Sequence, residues 1–370
     1  MMRPVIGITG VTGMVGKALL SLIKNCQPDA EIRLGVRQPD RLADSPYPVV
    51  AVDLKQPGSL AAFCQGCAII VNCAGPSALY GLNVARAAAI AGAHCIDAFG
   101  SYGPDSAREL DDIMAVPGAA SVITGAGVFP GLSELLPMAM ASRYFDNVST
   151  LHAAAGGLEP CSKGAGIDIL MSAVAGYGQA TGADLTALEG FPSHIIAKPF
   201  RSTDFVRMTE TFGCQEAHWY SVFSSSRVSE VIADQCHQLA SAGELTECMM
   251  ASAADKLSEV ADEQLAGRTP WYRMRIDMSG SLQGEPLCYR ALLQTPASYG
   301  LTALTMYATL TTVLQDLSLH GHFRASEIVS PELMVALIQQ DDRHQLHFVQ
   351  LPIHATSFYS NENETEEGFL

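Results

Sequence analysis

Gly10-Val-Thr12-Gly13-Met14-Val15-Gly16 lies between an apolar run, Val5–Thr9, and an amphipathic stretch, Met14–Lys24. Glycines in such a strand-to-helix turn let the chain bend sharply and let a phosphate approach the backbone. The helix that follows offers unpaired N–H groups and the positive end of its dipole. The chemistry implied is pyrophosphate binding, with Gly10, Thr12, Gly13, Met14, Val15 and Gly16 as contacts. The spacing is G-x-x-G-x-x-G rather than G-x-G-x-x-G, which points to other branches of the dinucleotide fold. The next strand ends at Gly35-Val36-Arg37, with Arg41 one turn later. An NAD site usually carries a carboxylate there for the ribose hydroxyls. A guanidinium instead binds a 2′-phosphate as a charge-assisted fork, so Arg37 and Arg41 predict NADP(H). Asp53, after the third strand, is a candidate for the adenine side or for a helix cap. Ala74-Gly75-Pro76 closes the fourth strand, where a small turn lets the nicotinamide ribose approach.

These residues need a scaffold, and the alternation of the first 125 residues supplies one. Val5–Thr9, Ile32–Val36, Val49–Val52, Ala68–Cys73, His94–Asp97 and Ser121–Thr124 read as strands. Met14–Lys24, Pro57–Cys64, Tyr80–Ala91 and Asp105–Met114 read as the helices between them. The fold class is therefore α/β: a Rossmann-type, doubly wound parallel sheet. Gly131–Tyr144 reads as a further helix, and Ser149–Ala155 opens a region of longer strands. Trp271–Gly280 and Leu287–Leu293, joined by Gln283-Gly284-Glu285-Pro286, read as an antiparallel pair with one buried face. Helices follow at Ser298–Ser318 and Pro331–Gln339. The expected domains are a nucleotide-binding domain (1–126), an α+β substrate domain with an antiparallel sheet (127–300), and a C-terminal segment (301–358) packing back on the first. An acidic tail (359–370) follows.

Composition narrows the function further. Lys and Arg number 22 against 38 Asp and Glu, a net charge of −16 over 370 residues, which excludes a nucleic-acid partner. The chain is 48% apolar, ample for a large core, yet its apolar runs are too short or broken to cross a membrane. The N-terminus reads directly as a first strand, and ten Cys are scattered singly, so we expect packed, reduced thiols in a cytoplasmic protein. Cys64-x-x-Cys67 and His320-Gly-His322 lack further ligands at metal-site spacing, and no metal site is expected. A homodimer is the default assembly.

Together, Gly10–Gly16, Gly35-Val36-Arg37, Val71–Pro76, Val84–Asp97 and Gly125–Leu132 resemble the saccharopine dehydrogenase-like NAD(P)-dependent oxidoreductases. A Gly-Pro turn, an alanine-rich helix and a His-Tyr-x-Asp strand recur there in this order, and Cys95 replaces the aromatic residue. The resemblance covers residues 4–140 well and is architectural beyond them. It implies hydride transfer to or from a carbon–nitrogen bond, or less often a C=C or C=O bond. No dicarboxylate-binding signature stands out in residues 150–300, which turns the reading from saccharopine to a stand-alone imine reductase. The nearest type is similar to the thiazoline reductases of pyochelin-type siderophore assembly, acting on a free or carrier-protein-tethered imine. A saccharopine- or opine-type dehydrogenase and a non-catalytic NADPH-binding scaffold or redox sensor are the alternatives. Imine reduction needs an acid near the nicotinamide to protonate nitrogen. Asp97 and Tyr102, just past the fifth strand, and His152, in the first strand of the substrate domain, are the catalytic candidates. Tyr80 and Lys198 are the substrate-contact candidates.

Overall fold

The computed structural model describes residues 3–27, 30–100, 106–176, 180, 182–242 and 245–353. The alternating half forms β1 (Val5–Thr9), α1 (Met14–Cys26), β2 (Glu31–Val36), β3 (Val49–Ala51), α2 (Pro57–Cys64), β4 (Ile69–Asn72), α3 (Ser77–Ile90), β5 (His94–Asp97), α4 (Ser106–Met114) and β6 (Ser121–Thr124). Then come α5 (Leu132–Tyr144), β7 (Asn147–Leu158), α6 (Lys163–Gly176), β8 (Ile196–Phe200), α7 (Thr203–Phe212), β9 (Glu216–Phe223), α8 (Ser226–Ala240) and α9 (Glu247–Leu265). The last part contains β10 (Trp271–Leu282), β11 (Glu285–Thr295), α10 (Ser298–Gln315), β12 (Gly321–Arg324), α11 (Ala325–Ile328), α12 (Pro331–Gln340) and β13 (Gln345–Gln350).

The first sheet runs β12-β6-β5-β4-β1-β2-β3, and every pair in it is parallel. The chain reverses its direction of travel across the sheet between β1 and β4, the place where such folds hold ligands beyond the strand ends. The doubly wound architecture read from the sequence is thus present, with β12 added at the β6 edge. The second sheet runs β13-β11-β10-β7-β9-β8. It is mixed rather than purely antiparallel, because β7 and β9 pair in parallel after the α6–β8–α7 crossover. The segment after residue 300 divides between the sheets: β12 joins the first and β13 joins the second, beside β11.

Alternation decides the faces of the second sheet. Met274, Ile276 and Met278 of β10 and Ala291 and Leu293 of β11 are completely buried. They join Leu151, Ala153 and Trp219 in one apolar core with α5, α10 and the strands of the first sheet. The two domains are therefore continuous through their inner faces. α10 is apolar on nearly every side and buried along its length, as a helix sandwiched between layers must be. Helices α6, α8 and α9 pack on one another as a separate layer, which reaches Leu79 of α3.

Candidate active site

The glycine turn has the geometry its residues require. Gly10 has a φ of +69°, and a Cβ there would meet the backbone of Cys73 and Ala74 at 2.5 Å. A Cβ on Gly16 would sit 2.4 Å from the Gly10 carbonyl oxygen. The second glycine, Gly13, is the N-cap of α1 and supplies no side-chain cap, while the first turn contains no acidic residue. The N–H groups of Met14 and Val15 therefore face outward beside Thr12, ready for an anion. A residue larger than glycine at either crowded position would fill the cradle.

Beside this turn, Thr12, Val36, Arg37, Gln38 and Arg41 line a pocket of about 350 Å³. Arg37 and Arg41 are exposed, and among the described residues neither is joined to a carboxylate. Two unengaged guanidiniums, a hydroxyl and a helix N-terminus fit a dinucleotide that carries a phosphate on its adenosine ribose. Asp53 is used differently. Its carboxylate accepts from the Lys55 N–H (3.0 Å) and Gln56 Nε2 (3.1 Å), closing the turn that leads into α2. Asp53 is thus committed to its own loop, while the N-cap of α2 is Gln56, with no side-chain cap.

A polar network ties the strand ends together beneath the cleft. Asn72 Oδ1 accepts from Thr9 Oγ1 at 2.6 Å and from the Ala74 N–H at 3.2 Å. Asn72 Nδ2 donates to Asp97 Oδ2 at 2.6 Å, and Asp97 Oδ1 accepts from the Phe99 N–H at 2.8 Å. Burial pushes the Asp97 carboxyl up to about 6, against hydrogen bonds from Asn72, Phe99 and Ser77 that favour its ionised form. Asp97, expected to orient Tyr102 or a substrate amine, is only 1% exposed and is engaged by Asn72 and the Phe99 N–H. It is a positioning residue for the Cys73–Pro76 turn. Tyr102, the other acid candidate near this strand, lies outside the described residues.

Asp168 of α6 was missed by sequence reasoning. Its Oδ1 accepts from the Ala78 N–H at 2.8 Å and its Oδ2 from the Ser77 N–H at 3.1 Å. It thereby caps α3 from another layer of the molecule, at the turn predicted to meet the nicotinamide ribose. Burial pushes this carboxyl up to about 7. This cap also explains why α3 begins at Ser77, one turn before the Tyr80 start expected from the sequence. The available signal was the four-residue spacing of Gly164 and Asp168, which puts both on one helix face. A Cβ on Gly164 would approach Gly75 at 3.2 Å, so the small residue admits the turn that the carboxylate then caps.

The remaining candidates are scattered. The Tyr80 hydroxyl donates to Glu247 of α9, and Lys55, itself paired with Glu247, lies over the Tyr80 ring at 5.4 Å. Tyr80 thus locks the first domain to the helical layer. Lys198 forms an ion pair with Asp184 at 2.8 Å. His152 is corrected as a cleft residue. Its neighbours Leu151 and Ala153 point into the shared core, so strand alternation turns His152 to the outer face, beside Glu216 and His218. All ten cysteines are free thiols, and Cys64 and Cys67 are buried. His322 lies in β12 with its Nε2 3.1 Å from Thr124 Oγ1. No described helix is long and apolar enough to cross a membrane.

Comparison with known proteins agrees with this geometry. Residues 6–120, from β1 through α4, match the family model of the saccharopine dehydrogenase NADP binding domain. Over those residues the first domain is similar to that NADP binding domain. No curated protein matches the chain in sequence. Among solved structures, apo saccharopine dehydrogenase (L-Glu forming) from Saccharomyces cerevisiae superposes over 94% of this chain and 100% of its own, with a TM-score of 0.63 at 11% identity. DAP dehydrogenase of C. glutamicum, in complex with DAP, covers 92% of this chain and 100% of its own, with a TM-score of 0.51 at 14% identity. An engineered D-amino acid dehydrogenase bound to NADP+ has the same coverage, with a TM-score of 0.50 at 14% identity. The chain shares the two-domain fold of these dehydrogenases.

Proposed function

We propose that the protein is an NADPH-dependent oxidoreductase that reduces a carbon–nitrogen double bond of a small or carrier-tethered imine. The observation that carries this reading is the pocket of Thr12, Arg37 and Arg41 beside the open N-terminus of α1. Arg37 and Arg41 hold the 2′-phosphate, the α1 N–H groups hold the pyrophosphate, and Ala74-Gly75-Pro76 receives the nicotinamide ribose. When bound, NADPH supplies the hydride that reduces the imine carbon. The nitrogen would then take a proton from a general acid, a role that the sequence reading gives to Tyr102. Asn72, Asp97 and Asp168 hold the turn that sets the distance between cofactor and substrate. The more specific form of the proposal is reduction of a thiazolinyl ring to a thiazolidine in nonribosomal siderophore assembly. That form rests on the sequence resemblance to the thiazoline reductases.

A second reading is a dehydrogenase acting on a free amino acid. It is favoured by the solved structures that match over their whole length, which are named for saccharopine, DAP and D-amino acids. Against it, several cations of the second domain that might bind a substrate carboxylate are already engaged. Arg275 and Arg290 are held by Asp277, Lys198 by Asp184, and Lys163 by Asp255.

The deciding experiment is a thermal-shift titration with NADPH and NADH on wild type and Arg37→Ala, followed by NADPH oxidation assays. A ligand that binds only the folded state raises its stability as ln(1 + [L]/Kd). We expect a larger shift with NADPH, lost in the variant, and turnover of cyclic imines. Turnover of a 2-oxo acid with an amino acid, and none of imines, would establish the second reading. Equal shifts with both dinucleotides would remove the phosphate site.

A further inference from the structure

We infer that His152, Glu216 and His218 form a binding site for one divalent transition-metal ion of the zinc type, on the outer face of the second sheet. β7 and β9 are adjacent and parallel, with Thr150 opposite Glu216 and His152 opposite His218. The two-residue period of a strand puts Glu216 and His218 on one face, and the register sets His152 beside them. Three donor atoms, one from each side chain, lie within 4.8 Å of one another. The His152 and His218 Nε2 atoms are each 3.3 Å from the same oxygen, Glu216 Oε1.

That distance is informative. Two ligands bonded at about 2.0–2.1 Å to a tetrahedral ion lie about 3.3 Å apart. A charge-assisted N–H···O bond to a carboxylate closes to about 2.7–2.9 Å. Glu216 is half-exposed and has the freedom to close on one imidazole, yet it stands equidistant from both. The rings meet edge to face, 72° apart with centroids 5.3 Å apart, so both nitrogen lone pairs can converge without the rings stacking. Two imidazoles and one carboxylate suit Zn²⁺ and its borderline neighbours rather than Mg²⁺ or Ca²⁺, and three ligands leave a fourth position for water.

The surroundings suit an ion as well. The His152 side chain is 12% exposed, so its ring is held in place on the sheet beside the other two ligands. The side chains of His218 and Glu216 are 30% and 53% exposed, so the ion enters from solvent. Asp277 stands opposite His152 across the β7–β10 pair, and its charge is already balanced by Arg275 and Arg290. The ion would sit on the face opposite the shared core, away from the glycine turn, where it would cross-link β7 to β9. Its role is structural and independent of hydride transfer.

The test uses the full chain, stripped with a chelator and titrated with Zn²⁺ in competition with a chromophoric chelator. Melting curves serve as the control for folding. Wild type should bind one ion per chain, and His218→Ala and Glu216→Gln should each weaken binding by about 100-fold or more while melting cooperatively. Co²⁺ should give the visible bands of a tetrahedral site, and excess Mg²⁺ should not displace it. Substoichiometric binding by wild type, equal affinity in both variants, or displacement by Mg²⁺ would each overturn the assignment.

Discussion

On the proposed function, Arg37 distinguishes the two nicotinamide dinucleotides, because only one of them carries a phosphate that a guanidinium can fork. A hydrogen-bonded charge pair of this kind contributes about 1.5–3 kcal/mol. Arg37→Ala should therefore weaken NADPH about 10- to 100-fold and leave NADH nearly unchanged, as measured by calorimetric titration. Gly16 makes a steric prediction. Its missing Cβ would lie 2.4 Å from the Gly10 carbonyl oxygen, against backbone that cannot move aside. Gly16→Ala should cost about 2 kcal/mol or more in urea unfolding and abolish the NADPH-induced thermal shift. A stable variant with normal binding would show that the turn has room to relax. Arg37 and Gly16 were both legible in the sequence, since each acts through a local motif. The position of His152 was not, because its facing depends on which neighbours fill the core.

At the scale of elements, α3 depends on a residue that is 90 positions away in the chain. Asp168 accepts from the first two N–H groups of α3, which no local side chain caps. Asp168→Ala should cost about 1–2 kcal/mol, as the loss of a helix N-cap does, and Asp168→Asn should recover part of it. The same two variants should alter imine turnover more than NADPH affinity, because the proposed function puts the Gly75–Pro76 turn at the reacting end of the cofactor. If Asp168→Ala were as stable as wild type, the cap would be idle. The helices of the first domain were read nearly to their ends because their amphipathic pattern is regular. α6, α8, α9 and the short strands β8, β12 and β13 escaped, since their burial comes from packing on one another and at sheet edges.

Across the whole molecule, buried acids set how stability follows pH. Burial pushes Glu134, Glu159 and Asp168 up to about 7 and Asp97 up to about 6. Unfolded carboxyls titrate near about 4, so the folded state holds extra protons between roughly pH 4 and 7. The stability these groups contribute is present at low pH and is lost as pH rises through their folded values. His94, His152, His322 and His344 act in the opposite sense below about pH 6.5, because burial lowers their pKa and acid must charge them. Above that pH the unfolded histidines progressively lose their remaining charge, and the acids increasingly decide. The melting temperature should therefore fall between pH 6.5 and 8, with protons released on unfolding at pH 7. Calorimetry in buffers of different ionisation enthalpy measures both, and a melting temperature that rises over this range would refute the account. Glu134 also joins Arg207 of α7 at 3.0 Å and Ser326 of α11 at 2.8 Å, so one of these acids sits where three elements meet.

The sequence by itself determined the nucleotide-binding half: a strand, a glycine turn, a helix and a terminal arginine are local features, and their chemistry needs only neighbours a few residues away. It also determined that β10 and β11 bury one face, because period-two alternation is written along the strand. Tertiary structure alone decided which groups converge from distant segments. The parallel pairing of β7 with β9 sets His152 against Glu216 and His218, the helical layer brings Asp168 to α3, and the neighbouring strand end buries Asp97 against Asn72. Each of these rests on register, burial and long-range packing, which depend on where the whole chain folds rather than on any motif within it.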